Sequence, residues 1–217
     1  MNYMKSLGKM FAVSLLVLTL WGCSATESAP ASPLTPVPTP VETPPTPNTE
    51  IQLDNYFEGG GISFNYPKDW VSWEKASLDQ MRSYLKSQMG ADLITMLKTR
   101  DETCVLQIAK QRNTSSFSSF YQEKKEVADQ VSAEGMKVMG YRYTKYSVEV
   151  VELPGIQKAV LGYAEREGGQ TGVSYQFLSD GYEYNVNFIY KSATRAANDQ
   201  KVREQVMNTF KLTGAKD

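Results

Sequence analysis

The chain has 217 residues, with 23 basic and 24 acidic side chains, a net charge of −1 and no histidine. A near-neutral chain without a basic stripe argues against a nucleic-acid partner, because phosphate binding needs clustered Lys and Arg. The lack of imidazole excludes serine and cysteine triads of the usual kind and most transition-metal sites. We therefore expect no bound metal or other cofactor.

The first 22 residues have the three parts of an export signal. Lys5 and Lys9 give a positive amino end, and residues 10–20 form an apolar core. This core is too short for a membrane-spanning helix, which needs about 20 apolar residues. Residues 1–22 are therefore predicted to be a signal peptide. They contain two lysines and no acid, so the mature chain has 21 basic and 24 acidic residues and a net charge of −3.

The signal ends in Leu20-Trp21-Gly22-Cys23, which resembles a bacterial lipobox, although the pattern prefers a smaller residue than Trp21. In that interpretation cleavage precedes Cys23, whose thiol carries a diacylglyceryl group with fatty acids such as palmitate. Two or more acyl chains hold a protein on a bilayer where one would exchange. The alternative is plain secretion with an incidental cysteine. We predict a lipid anchor on the extracytoplasmic side of the cell membrane. In a cell with two membranes the outer membrane is an open alternative to the inner one, since Ser24 is not the Asp of an inner-membrane retention signal.

Residues 23–52 are predicted to be a disordered tether. Eight of the ten prolines lie in this segment, which has no aromatic residue. Such a composition cannot bury enough apolar surface to offset its ordering entropy, and dense proline favours extended polyproline II. Pro33 and Pro36 fit a PxxP ligand motif, but this spacing is common by chance in proline-rich tracts. We therefore favour a solvated spacer.

Residues 53–217 suffice for one domain with a sizeable core. Once Cys23 is lipidated, Cys104 is the only remaining thiol, so a structural disulfide within the chain is excluded. Cys104 begins a run of alternating residues that predicts a buried position in a strand. The alternative is a catalytic thiol, which requires an imidazole nearby to activate it. Three methionines either form an adaptable partner surface or, as we favour, fill gaps in the core: Met81, Met89 and Met96.

The first half of the domain is predicted to contain a strand and a helix before the Cys104 strand. Residues 62–66 alternate apolar and polar side chains, and residues 67–70 form the turn that ends this strand. Ser77 and Gln80 are spaced as a capping box at the start of a helix, which Gly90 ends. Apolar residues after the glycine predict one or two further helical turns: Leu93, Ile94 and Leu97.

The second half is predicted to be a helix, an antiparallel meander and a closing helix. The helix follows residue 117, has Lys124 as the one charged interruption of its apolar stripe, and ends at Gly135. Strands are predicted within residues 139–151, 158–165, 172–178 and 182–190, with a hairpin turn at Asp180-Gly181. The last strand has one apolar and one polar, solvated face. A closing helix over residues 195–210 is predicted to cover the apolar face through Val202, Val206 and Phe210, with Arg203 and Glu204 outward.

This order of elements resembles the PsbP-like family. The shared features are the strand and Tyr-Pro-x-x-Trp turn at residues 62–70, the closing hairpin at 181–190, and the helix at 202–212 with its terminal Phe-Lys-Leu. The resemblance covers most of residues 56–213 and implies an α+β fold in which an antiparallel sheet is sandwiched between helices. Photosynthetic members are extrinsic, non-catalytic subunits of photosystem II, and some bind metal through histidine and carboxylates. The chain has no histidine, so that metal site is not carried over.

Two functions from different classes follow from these patterns. The first is a membrane-anchored, non-catalytic binding or accessory module for a membrane or envelope protein complex. The second is an envelope hydrolase in which paired carboxylates do acid–base work after burial raises one pKa. Its candidate residues are Glu149, Glu152, Asp180 and Glu183. We favour the binding module, because these acids are predicted near strand ends or solvated faces.

The lipobox predicts a specific chemical outcome at Cys23. The mature protein should begin at an acyl-modified Cys23, and Cys23→Ala should leave the protein uncleaved or released from membranes. Intact-mass measurement of the wild-type protein, together with membrane fractionation of the variant, checks this. A mature chain with an unmodified Cys23 thiol would contradict it.

Overall fold

A computed structural model of the protein describes residues 51–138 and 141–214. The helices are α1 (Lys75–Met89), α2 (Phe117–Glu134), α3 (Ala193–Asn198) and α4 (Gln200–Asn208). The strands are β1 (Asn55–Gly59), β2 (Ile62–Tyr66), β3 (Trp70–Ser72), β4 (Asp92–Thr99), β5 (Cys104–Arg112), β6 (Met136–Val138), β7 (Tyr141–Leu153), β8 (Ile156–Arg166), β9 (Thr171–Ser179), β10 (Tyr182–Tyr190) and β11 (Lys211–Leu212).

The strands form two antiparallel sheets. The large sheet has eight strands in the order β3-β4-β5-β10-β9-β8-β7-β6, and a small sheet has the order β1-β2-β11. Helices α1 and α2 pack on one face of the large sheet, while α3, α4 and the small sheet pack on the other. This confirms the predicted α+β class, with an antiparallel sheet between layers of helices.

Each face of the large sheet has its own hydrophobic core. Under α1 and α2 the core includes Met81, Leu85 and Met96, with Met89 half-buried against it. The predicted core role of the three methionines is therefore confirmed. On the opposite face, Phe210 is fully buried just after α4, stacking on Phe64 at 5.8 Å between ring centroids and meeting Phe177 edge-on at 5.6 Å.

The β9–β10 hairpin turns at Asp180 and Gly181, as predicted. Their φ angles are 51° and 76°, the left-handed values that two-residue hairpin turns of type I′ require. Asp tolerates this conformation better than most non-glycine residues, and glycine adopts it freely. The turn aligns β9 and β10 along their whole length, from the Tyr182–Ser179 pair to the Tyr190–Thr171 pair.

The prediction of further helical turns at Leu93, Ile94 and Leu97 is wrong, because these residues lie in β4. The strand pairs with β3 and β5 at its edges, and both of its faces are covered, because Leu93 packs toward α1 and Leu97 toward the opposite core. A strand buried on both faces carries apolar residues in both phases, and that pattern is easily mistaken for helical spacing.

Two helix boundaries also differ from the prediction. Helix α1 begins at Lys75 after Glu74, without a side-chain cap, so Ser77 and Gln80 lie inside the helix rather than forming its capping box. The closing segment is two helices, α3 and α4, joined at Asp199, not one helix over residues 195–210. Gly90 and Gly135 end their helices as expected.

Residues 1–50 lie outside the described residues. The predicted signal peptide, the lipidation of Cys23 and most of the predicted tether therefore stay predictions. Within residues 51–138 and 141–214, no helix is both long enough and apolar enough to cross a bilayer.

The packing of Phe210 predicts that the C-terminal segment is part of the core. Phe210→Ala should destabilise the domain by about 3–5 kcal/mol, because the truncation leaves a cavity between Phe64 and Phe177. Glu204→Ala, on the exposed side of α4, should change stability by no more than about 0.5 kcal/mol. Denaturant unfolding of both variants measures the difference. Equal stability of Phe210→Ala and the wild type would refute the packing role.

Candidate functional site

The polar face of β10 is buried beneath helices α1 and α2, so the predicted solvated face is wrong. Glu183, Asn185 and Asn187 point to the side that carries the α1–α2 core, and each is at most 3% exposed. The register places Glu183 beside Gln111 on β5, and Asn187 beside Ser174 on β9. A row of polar side chains therefore crosses the middle of the sheet under a helical layer.

A buried ion pair joins this row to helix α2. Lys124 Nζ donates to Glu183 Oε1 at 3.0 Å, and the exposed fractions of the two residues are 2% and 1%. The second carboxylate oxygen accepts from Gln111 Nε2 at 2.8 Å and from Asn113 Nδ2 at 3.1 Å. Buried charges are tolerated only when they are paired and hydrogen-bonded in this way. Both oxygens of Glu183 are therefore used by structural partners.

The other carboxylates of the hydrolase hypothesis are spread over the molecule. Glu149 and Glu152 are exposed on β7, and Asp180 is exposed in the β9–β10 turn. Strands β8 and β9 separate Glu149 from Glu183, so these two do not converge. In the described part of the chain, no group of three Asp, Glu, Cys or His side chains is arranged to hold a metal ion.

Cys104 is a buried strand residue on the opposite face, as predicted, with 1% exposure. Burial raises the pKa of its thiol far above the ordinary value, and the nearby Asp199 carboxylate adds to this rise. The thiolate is the nucleophilic form of cysteine, so this side chain is unreactive at neutral pH.

A cleft of about 440 Å³ lies between helices α3 and α4 and strands β7, β8 and β9. Its walls combine small and apolar side chains with a few polar groups at the rim, and this is the mixture typical of ligand and peptide sites. The lining residues are Ser147, Val148, Glu149, Leu161, Tyr163, Val173, Ala193, Ala196, Ala197, Gln200 and Arg203.

Arg203 is the buried charged residue of this cleft, whose other charged lining residue, Glu149, is exposed. Its Nη1 donates to the Ala196 carbonyl at 2.9 Å and to the Tyr190 hydroxyl at 3.2 Å, and the residue is only 8% exposed. Among the described residues it forms no ion pair, because Asp199 pairs instead with Arg195 at 2.9 Å. The cleft therefore contains a desolvated guanidinium that is held by neutral acceptors.

The sequence did not reveal the burial of two cationic residues, Arg203 and Lys124. Arg203 was predicted to face outward from one long helix, but the break at Asp199 starts a new helix and Arg203 faces the sheet. Lys124 did carry a signal, because it is the one charge within an apolar helical stripe. It is placed over β10, whose alternate residues are polar.

The sequence was compared with known families and structures. The family model described as PsbP-like protein matches residues 42–212. The chain belongs to the PsbP-like family. Membership supports an accessory-module role in the broad sense, and proteins of this family are generally non-catalytic. No curated protein sequence matches the chain.

Two solved structures are similar to this PsbP-like chain. One is a crystal structure from Bacteroides thetaiotaomicron, with 19% identity and a TM-score of 0.38; the match covers 72% of this chain and 46% of that protein. This chain therefore spans about half the length of that relative. The other is the solution structure of cyanobacterial PsbP (CyanoP) from Synechocystis sp. PCC 6803, with 13% identity and a TM-score of 0.38. That match covers 70% of this chain and 86% of CyanoP.

The buried ion pair predicts that losing Lys124 destabilises the fold far more than losing a neighbouring exposed lysine. Lys124→Met should cost about 3–5 kcal/mol of unfolding free energy, because it leaves the Glu183 carboxylate buried without its cation. Lys125→Met is the matched control: the Lys125 side chain is half exposed and its Nζ is 3.2 Å from Asp129 Oδ2, so the cost should be no more than about 1 kcal/mol.

A double-mutant cycle with Glu183→Gln measures the coupling free energy between Lys124 and Glu183. Lys124→Met combined with Glu183→Gln should cost clearly less than the sum of the single variants, because no unpaired charge remains buried. Denaturant unfolding at neutral pH gives all of these values. Strict additivity would show that the two side chains do not depend on each other.

Proposed function

We propose that this PsbP-like protein is a non-catalytic accessory module, anchored by lipid at Cys23 outside the cytoplasm, that binds a membrane protein complex. Family membership over residues 42–212 is the observation that carries this proposal. The hydrolase alternative is not favoured, because Glu183 is committed to Lys124 while Glu149, Glu152 and Asp180 are exposed.

The cleft at Arg203 is the part of the surface best suited to receive a group of the partner. A guanidinium that is nine-tenths buried interacts strongly with an incoming carboxylate, since little water screens it and its fork geometry fits two oxygens. The alanines of α3 leave room beside it, and Leu161 and Val173 provide an apolar wall. We therefore propose that an acidic side chain of the partner enters this cleft.

The lipid anchor would set where the interaction takes place. A protein held at a membrane by acyl chains meets membrane partners at a high effective concentration, so even a modest interface is sufficient. A proline-rich tether of the predicted length would place the domain at a variable distance from the bilayer.

Site-specific photo-crosslinking in cells tests the proposal. A photoreactive amino acid at Gln200, on the exposed rim of the cleft, should crosslink to one membrane protein. The same probe at Ser87, on exposed α1 across the sheet, should not. Ala197→Trp, which fills the cleft from its rim, should reduce the Gln200 crosslink while the melting temperature changes little.

Different crosslinking results would contradict different parts of the proposal. Equal crosslinking from Gln200 and Ser87 would show that the cleft is not the contact surface, and no membrane protein at either position would overturn the accessory role. A crosslink that persists when Cys23→Ala releases the protein would show that the interaction does not depend on the anchor.

A further inference from the structure

Strand β7 leaves a long sheet edge open. The strand runs from Tyr141 to Leu153 and pairs with β8 along residues 143–153, but on its other side β6 pairs only with residues 141–143. Over residues 144–153, no strand of the described chain covers that side. An open edge presents backbone donors and acceptors that a further strand can use.

The open stretch is regular and partly apolar at its centre. Register shifts at Tyr143/Lys145 and Val151/Leu153 bound it, so residues 145–151 form an uninterrupted extended segment. Val150 is 44% exposed, and it is one of two large hydrophobic residues that are exposed in the described chain. One backbone group is engaged by the helical layer, since Ser132 Oγ donates to the Tyr146 carbonyl at 3.2 Å.

The charges along this edge form a self-complementary pattern. Arg142 and Lys145 precede Ser147 by five and two residues, and Glu149 and Glu152 follow it by two and five. All four charged side chains are exposed. Two copies of the edge placed antiparallel with Ser147 on the two-fold axis would therefore set Lys145 opposite Glu149 twice.

We propose that a second copy of this chain pairs with the β7 edge, so that two large sheets join across a two-fold axis at Ser147. Opposite charges on directly facing residues stabilise an antiparallel pair, and like charges destabilise it. Moving the axis to Lys145 or Glu149 would place that charged side chain against its own copy, whereas the axis at Ser147 pairs opposite charges twice. An isologous contact of this kind closes as a dimer.

The interface is limited in length and therefore weak. Strand β6 occupies the edge at residues 141–143, so the paired segment is residues 144–150 of each copy. A strand pair of this length is at the small end of specific interfaces, which is typical of transient association. The Lys145 side chain is 57% exposed, and its ammonium is 3.8 Å from the Glu165 carboxylate and 5.2 Å from the centre of the Tyr163 ring, so the dimer would exchange these contacts for Glu149.

Charge reversal tests the register on the full-length protein. Sedimentation velocity over a concentration series should show a monomer–dimer equilibrium for the wild type. Lys145→Glu should weaken dimerisation about tenfold or more, because the change occurs at two symmetric positions. Adding Glu149→Lys to Lys145→Glu restores opposite charges in exchanged positions and should restore the dimer. Glu204→Lys, the same change as Glu149→Lys on exposed α4, is the control and should have little effect.

Oxidative crosslinking tests whether the two-fold axis of the dimer passes through Ser147. Paired residues of antiparallel strands lie about 4.5–5.5 Å apart at Cα, within reach of a disulfide. Ser147→Cys should therefore give a covalent dimer that the wild-type chain, with its native cysteines, does not give. Lys201→Cys on exposed α4 should give none, and Lys145→Glu should remove the Ser147→Cys crosslink.

The proposal goes beyond the accessory role and can fail independently of it. A monomer at all concentrations together with no Ser147→Cys crosslink overturns it. So does a dimer that is unchanged by Lys145→Glu, because that dimer would use another surface. Rescue by the exchanged pair supports the proposed register, since general destabilisation of the fold would not be reversed by a second charge change.

Discussion

Strand β10 is buried along almost its whole length, and this burial on both faces is the constraint on which the rest of the molecule depends. It lies between β5 and β9, and every residue after Tyr182 is buried. One face is apolar and packs with α4. The other carries Glu183, Asn185 and Asn187, so the helical layer above it must supply partners rather than only apolar cover. Lys124 of α2 supplies the charge that Glu183 needs.

The buried groups that could react or bind differ in whether they are already engaged by other parts of the fold. Glu183 and Cys104 would be reactive in other settings, but one is held in an ion pair and the other is a buried thiol whose pKa is raised. Arg203 is different, because its partners are neutral and a cleft adjoins it. Of the buried charged groups described here, Arg203 is therefore the one that an incoming group could reach through a cleft.

Much of the fold was predictable from the sequence, because turn residues and periodicity are local signals. The Asp180-Gly181 hairpin, the helix ends at Gly90 and Gly135 and the core role of Phe210 all follow from such signals. The β4 strand was not predictable by periodicity, because a strand covered on both faces has no alternating pattern. The burial of the β10 polar face was missed because alternation shows which side chains share a face, but not what covers that face.

The candidate cleft could not be predicted, because it depends on contacts between distant parts of the chain. Arg203 shares the buried face of α4 with Val206 and Met207, but a charged side chain in a closing helix is expected to face solvent. Its neighbours in the cleft come from β7, β8 and β9, and the most distant of them, Ser147, lies 56 residues earlier in the sequence. The family resemblance gave the fold, since strand order and turns are shared, but it did not identify this residue.

The small sheet determines how the domain would respond to a pull from its amino-terminal side. Strand β1 is outermost and pairs only with β2, whereas β2 is also held by β11 and by the hydrogen bond from Asn65 N–H to Thr209 Oγ1 at 2.9 Å. Because Asn55 lies at the open end of the hairpin, opposite Tyr66, a pull on the preceding residues loads the hydrogen bonds of β1 one at a time. Such unzipping needs far less force than shearing a whole strand, and it releases roughly 3.3 Å of chain per residue. Strand β1 is thus the strand that opens first under such a pull, and its opening lengthens the chain ahead of the domain while the large sheet stays intact.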